Sequence, residues 1–227
     1  MRLPPRARLR RRVRHSDRRP LLHELPRARL HARRVSTPPD DSTREHRTAR
    51  FETVLEAVAS RRSWSSVTDD APTHEELARM VAAAGRVADH GSLRPWRLIE
   101  MRGDARRRLG TAIAKASKDR KPSDKPLRAP LLIAVVVIEQ KSHKVPRWEQ
   151  EAVASGVAHS LSLLLDAAGW GVFWRTGWYT RSKAMRKAHG LAKNEELLGW
   201  LYVGGIPERK RSGSRRPIDP DPFLTVL

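Results

Sequence analysis

Cysteine is absent from the 227 residues. That one absence removes disulfides, thiol nucleophiles, cysteine-ligated zinc and iron–sulfur ligation together. Long apolar runs are missing as well. The longest, Leu131 to Ile138, falls far short of the roughly 20 residues that cross a bilayer as a helix. No apolar segment follows the basic N-terminus, so no secretory signal is expected. Several catalytic signatures are also missing: G-x-x-x-x-G-K-[ST] phosphate loop, H-E-x-x-H zinc helix and G-x-S-x-G nucleophile elbow. Gly169-Trp170-Gly171 opens like a dinucleotide fingerprint and then fails, which disfavours a Rossmann dehydrogenase. These absences describe a soluble, cytoplasmic protein that holds no metal and spans no membrane.

What is abundant is positive charge. The chain carries a formal +21, with 39% hydrophobic and 31% charged residues, a polar but globular balance for one domain with a sizeable core. The charge is uneven. Residues 1–50 hold 16 Arg, no Lys and 5 acids, or +11, and the remainder holds +10. Residues 1–47 are rich in Arg, Pro and His without helical or strand periodicity, and are expected to be disordered. An arm that meets nucleic acid or an anionic membrane, a transit peptide and an extension translated from an early start codon all fit this segment. Arginine without lysine favours the last. The arm lacks interleaved aromatics that would stack bases, and no helix-turn-helix or zinc pattern is visible, so nucleic acid is not the expected partner.

From residue 48 onward the chain reads as one domain, with order beginning at Phe51. Phe51, Val54, Leu55 and Val58 follow the i, i+3, i+4, i+7 spacing of a helix with one buried stripe, ending near Arg61. Thr73 and Glu76 form a capping box before a second amphipathic helix carrying Leu77, Met80, Val81 and Ala84. A strand over 96–101, a charged helix over 104–117 and a central strand over 131–138, buried on both faces, follow. The longest helix is predicted over 148–168, stopped by Gly169. Then come a strand over 171–175, a short helix over 181–189 ended by Gly190, and a last strand over 197–203. Without strict βα alternation, this order argues for α+β layers.

Three separated segments place arginine, hydroxyl and imidazole donors at the edges of these elements. Arg61-Arg62-Ser63 ends the first helix; forked guanidinium donors complemented by a hydroxyl suit a phosphate. On their own, two adjacent arginines are equally a solvated helix end favoured by the macrodipole. Arg86 and His90 lie four apart and share a face if the second helix continues, while Asp89 is also placed to cap locally. Trp174-Arg175-Thr176 ends a strand; Trp174 serves equally as a core aromatic, but an arginine entering a core strand needs an anion. Lys144-Val145-Pro146-Arg147-Trp148-Glu149-Gln150 reads as a loop leading into a helix N-terminus.

Taken in this order over residues 51–227, the segments resemble the flavin-binding positions of the FMN-dependent nitroreductase family, in its small, minimal-length branch. Arg61-Arg62-Ser63 resembles the segment that opens the flavin site. The string from Arg86 to Trp96 resembles the region that reaches the neighbouring subunit's flavin, with Ala88 where proline is common. Trp174-Arg175-Thr176-Gly177 resembles the later flavin segment, and 144–150 matches the minimal branch with no role attached. The resemblance implies a dimeric three-layer fold, a mixed β-sheet flanked by helices, with FMN at the subunit interface. It implies hydride uptake from NADH or NADPH and a ping-pong reduction of nitroaromatics, quinones or similar electron-poor acceptors. The flavin would carry the chemistry, leaving no protein residue in a catalytic role. Arg61, Arg62, Ser63 and Arg175 would hold the phosphate and ribityl chain, Trp174 and Thr176 would border the ring, and Arg86 and His90 would come from the second subunit. Beside this stand two other functions: nucleic-acid binding through the basic arm, and flavin sensing or storage on the same fold.

Overall fold

The computed structural model describes residues 41–208 and 217–227. The expected disorder of residues 1–40 therefore lies outside the described residues. Helix α1 spans Asp41–Ser60 and so starts ten residues before Phe51. The heptapeptide preceding residue 48 belongs to this helix and not to a disordered arm, a correction to the expected boundary. Its stripe of Phe51, Val54, Leu55 and Val58 is also not buried: these side chains are 50–60% exposed in the single chain. The periodicity correctly marks one apolar face, but among the described residues that face is left largely exposed.

Helix α2, His74–Ala84, begins at the predicted capping box. Thr73 Oγ1 accepts from the Glu76 amide, and the Glu76 carboxylate accepts from the Thr73 amide. Strand β1 (Trp96–Met101), helix α3 (Asp104–Ser117) and strand β2 (Leu131–Ile138) follow. Helix α4 (Arg147–Ala167) is followed by Gly169 at φ +84, the left-handed turn into strand β3 (Trp170–Arg175). Helix α5 (Lys183–Ala188) and strand β4 (Glu195–Gly205) complete the order.

The four strands form one sheet in the order β1-β2-β4-β3, antiparallel at every pairing. The expected mixed sheet is thus antiparallel among the described residues, because hydrophobic periodicity locates strands without giving their direction. Alternation along β2 and β4 feeds two cores. Leu131, Ile133, Val135, Leu201 and Val203 meet Leu77 of α2 and Val157, Leu161 and Leu165 of α4. Leu132, Ala134, Val136, Trp200 and Tyr202 meet Leu109 and Ile113 of α3 and Met185 of α5. Helices therefore cover both faces of the sheet, the expected three layers. One irregularity interrupts the alternation. Between Val135 and Val136 the register slips, so that Val135 pairs Gly199 and Val136 pairs Leu197. Leu197 then packs with the α3/α5 core and Leu198 with the α2/α4 core.

Candidate functional site

Helix α4 touches all three predicted segments. Near its start, Glu149 Oε2 lies 2.8 Å from His90 Nδ1. In its middle, Gly156 lies under Val87, where an added Cβ would meet the valine Cγ1 at 3.6 Å. One turn later His159 packs edge-on against Trp174, ring centroids 5.1 Å apart. Near its end, Asp166 Oδ1 accepts from the Arg62 amide at 3.5 Å. At 1.5 Å per residue, Glu149 and Asp166 stand about 25 Å apart along the axis. His90 and Arg62 of one chain are therefore too far apart to touch one phosphate.

Residues 61–68 run beside β3 and the end of β4. The Trp64 amide donates to Val172 O at 2.8 Å, and the Thr68 amide donates to Gly205 O at 2.8 Å. This places Arg61, Arg62 and Ser63 beside the β3 edge of the sheet, with both arginines half-buried and Ser63 exposed. The close approach requires glycine on the sheet side, since a Cβ at Gly171 would meet Val67 Cγ1 at 2.9 Å and Trp64 Cβ at 3.2 Å.

Trp174, Arg175 and Thr176 close the same strand. Trp174 faces α4, while Arg175, the next residue, faces the other way, its guanidinium carbon 4.4 Å from the Phe173 ring centroid and 5.2 Å from that of Tyr202. Burial pushes the Tyr202 phenol up to about 12, so the ring beneath Arg175 stays neutral at physiological pH. Among the described residues four buried side-chain donors lack a hydrogen-bond partner: Trp64 Nε1, Trp174 Nε1 and Arg175 Nε on or beside β3, and Arg106 Nε on α3. Gly199, at the irregularity in β4, makes room for this strand end. A Cβ there would lie 2.5 Å from Arg175 O, 2.8 Å from Trp174 Nε1 and 3.0 Å from Thr176 Cγ2.

Arg86 and His90 sit in the turn after α2. The helix ends at Ala84, so these residues do not share a helical face as their spacing suggested. A short helical turn over His90–Ser92 carries His90 instead. The Asp89 carboxylate accepts from the Arg94 amide at 2.7 Å, and the Asp89 carbonyl from the Ser92 amide at 3.0 Å. His90 lines a depression of about 390 Å³ with Val87, Ala88, Trp148, Glu149, Ala152, Val153 and Gly156. Below it, the buried Gln150 amide donates to Gln140 O and Val145 O and accepts from the Gln140 amide, fixing the loop before α4.

Sequence reasoning missed Trp64, His159, Glu149 and Gly199 as members of these clusters. Gly199 alone carried a local signal, since glycine inside an apolar strand often marks a bulge or a close backbone approach. Among the described residues no group of histidines and carboxylates is placed to hold a metal ion, and no helix is long and apolar enough to cross a membrane.

The sequence model of the nitroreductase family matches residues 58–205, which contain every one of these clusters. The chain belongs to the nitroreductase family. A relative from Escherichia coli K12, named "Putative NAD(P)H nitroreductase YdjA", is 38% identical over 182 residues, covering 77% of this chain and 99% of its own. A Haemophilus influenzae relative named in the same words, without the suffix, is 31% identical over 184 residues, covering 77% of this chain and 99% of its own. Among solved structures, a nitroreductase-like family protein from Bacillus cereus superposes with a TM-score of 0.66 at 21% identity, covering 77% of this chain and 95% of that one. The FMN and NADPH-dependent nitroreductase NfnB from sphigopyxis sp. strain HMH gives 0.62 at 19% identity, covering 76% and 98%. The nitroreductase fold thus accounts for the three layers described above.

Proposed function

We propose that this member of the nitroreductase family is an FMN-dependent oxidoreductase that takes hydride from NADH or NADPH and reduces nitroaromatics, quinones or similarly electron-poor acceptors. Bound FMN supplies the redox chemistry, accepting and releasing the hydride. The chain's part is to bind, orient and tune charge. Arg61, Arg62 and Ser63 would hold the phosphate and ribityl chain together with Arg175, whose permanent charge would favour a negatively charged ligand. Trp174 and Thr176 border the ring. Nicotinamide and acceptor occupy one site in turn, giving ping-pong kinetics, since no dinucleotide fingerprint offers a second site.

The observation that carries this reading is the group of unpaired buried donors around β3: Trp64 Nε1, Trp174 Nε1 and Arg175 Nε. Buried donors without partners cost about 1–3 kcal/mol each, and their occurrence at the end of β3 and on the segment beside it supports a polar ligand bound near that strand end. Arg61, Arg62 and Ser63, on the segment that runs beside the strand, add the basic and hydroxyl donors that suit a phosphate-bearing cofactor.

The active unit is a homodimer, with Arg86 and His90 lent to the partner's site. The exposed apolar stripe of α1 supports this, because four large side chains 50–60% exposed along one helix need a cover. The placement of His90 and Arg62 at opposite ends of α4 supports it too. A copy of α4 laid antiparallel across a two-fold axis brings the His90 end of one chain to the Arg62 end of the other.

An absorption spectrum of the purified chain is the direct test. The expected result is a yellow protein with one FMN per subunit, bleached without oxygen by NADH or NADPH and reoxidised by a quinone. Steady-state rates at varied donor and acceptor should give parallel double-reciprocal lines. A colourless chain that takes up no FMN overturns the assignment, and intersecting lines overturn the shared site.

A further inference from the structure

We propose that Glu149 is a positioning residue that fixes the tautomer and direction of His90. The proposal rests on the reading above only for the group that His90 then meets, the flavin of the partner subunit. The contact itself is a property of the chain: Glu149 Oε2 and His90 Nδ1 lie 2.8 Å apart, a hydrogen bond in which the ring N–H donates to the carboxylate. A carboxylate cannot donate, so the neutral ring must place its proton on Nδ1. Nε2, which has no partner among the described residues, is then left as the acceptor for a group entering the depression that His90 lines.

Two features show that the ring's placement is held and not incidental. The turn carrying His90 has left-handed backbone at Gly91 (φ 72) and at two residues that are not glycine, Ser92 (φ 52) and Arg94 (φ 48). Such conformations persist where surrounding contacts determine them, and they gather at ligand sites. Here the two hydrogen bonds to Asp89 hold the turn. From the opposite side, Glu149 stands in the first turn of α4, behind a loop that the Gln150 amide ties at three points. Both partners are therefore fixed from behind before any ligand arrives. This gives the segment 144–150 a use: it seats the carboxylate that aims His90.

Four variants of the full-length chain test this: Glu149→Ala, Glu149→Gln, His90→Ala and the double variant His90→Ala/Glu149→Ala. Alanine and glutamine both remove the charge at the N-terminus of α4, so a purely structural role would lower Tm alike in both. The glutamine side chain keeps an oxygen that accepts from Nδ1–H, whereas alanine does not. Nitrogen-15 chemical shifts of the imidazole in the FMN-free chain should report Nδ1–H in the wild type and in Glu149→Gln. In Glu149→Ala they should report a mixture dominated by the Nε2–H form. The FMN dissociation constant should rise about tenfold in Glu149→Ala and stay within about threefold in Glu149→Gln. The double variant His90→Ala/Glu149→Ala should bind FMN no more weakly than His90→Ala alone. Unchanged imidazole shifts in Glu149→Ala overturn the proposal, as do additive losses in the double variant. A wild-type chain that takes up no FMN overturns the flavin reading instead, and the FMN-free imidazole shifts then uphold or overturn the positioning role alone.

Discussion

The Trp200 indole donates its Nε1–H to Nε2 of His189 across 2.9 Å, inside the core between the sheet and α5. The same imidazole turns Nδ1 to the Met185 carbonyl at 2.9 Å. With one nitrogen accepting and the other donating, the ring is held neutral, and burial lowers its pKa below the usual histidine value. A proton on Nε2 would meet the indole N–H head-on.

The sign of the resulting pH dependence follows. The unfolded chain binds a proton near pH 6.5 and the folded chain resists it, so His189 contributes stability that is complete above about pH 6.5. That contribution is lost as pH falls through the unfolded value toward the lowered folded one. Urea midpoints should decline from pH 7.5 to 5. His189→Leu should be less stable at pH 7.5 by about 1–3 kcal/mol, with the Trp200 N–H unpaired, but should show a shallower acid decline. An equal decline in both proteins would clear His189 of the effect. His74 pulls the other way: its contact with Glu100 raises its pKa, so that contribution fades as pH rises.

Gly199→Ala should be strongly destabilising. The added Cβ would fall 2.5 Å from Arg175 O, and its contacts are backbone and ring edges with little freedom to move. Overpacking of this kind costs about 1–3 kcal/mol. Because the displaced residues are Trp174 to Thr176, FMN occupancy should fall with stability. A variant with wild-type Tm and full flavin content would show that the strand end tolerates displacement.

Charge on the exposed face of α1 separates assembly from folding. Leu55 is half-exposed in the single chain, so Leu55→Asp should change monomer stability by no more than about 0.5 kcal/mol. Sedimentation should show loss of the dimer, and with it loss of FMN. A dimer that survives the charge would place the interface elsewhere.

Arg61→Ala should weaken FMN binding by about 1–3 kcal/mol, the worth of a hydrogen bond to a charged group. Mixed with Arg86→Ala, it should regain activity. In such a heterodimer one site has lost both arginines and the other has kept both. Mixing that restores nothing would mean that both arginines serve the site of their own chain.

How far the fold could be read in advance depended on how local each signal was. The capping box at Thr73 and Glu76, the left-handed stop at Gly169 and the two-sided burial of Leu131–Ile138 are properties of short windows, and they hold in the structure. The face of α1 was legible as apolar, but what lies against a face is not written in its own period. The phase of the slip at Leu198 was not legible, because adjacent Leu197 and Leu198 satisfy either phase of a two-residue alternation, and only Gly199 hinted at a bulge. The pairing of His90 with Glu149 spans 59 positions, and neither residue is unusual in its own neighbourhood. The candidate segments could be named from their residue types. Their common attachment to α4 could not, since it arises from packing.

That attachment makes α4 a ruler. The two halves of the proposed site on one chain are spaced by a single rigid helix and not by loops, so in a dimer the distance between the two flavins is graduated in helical residues. Substitutions on the loops can alter what each site accepts without changing that distance. A one-residue insertion within α4 cannot be absorbed in this way: it would turn everything beyond it by about 100° and advance it by about 1.5 Å. In the proposed dimer both sites would fall out of alignment together, because each would borrow one end of the other chain's ruler.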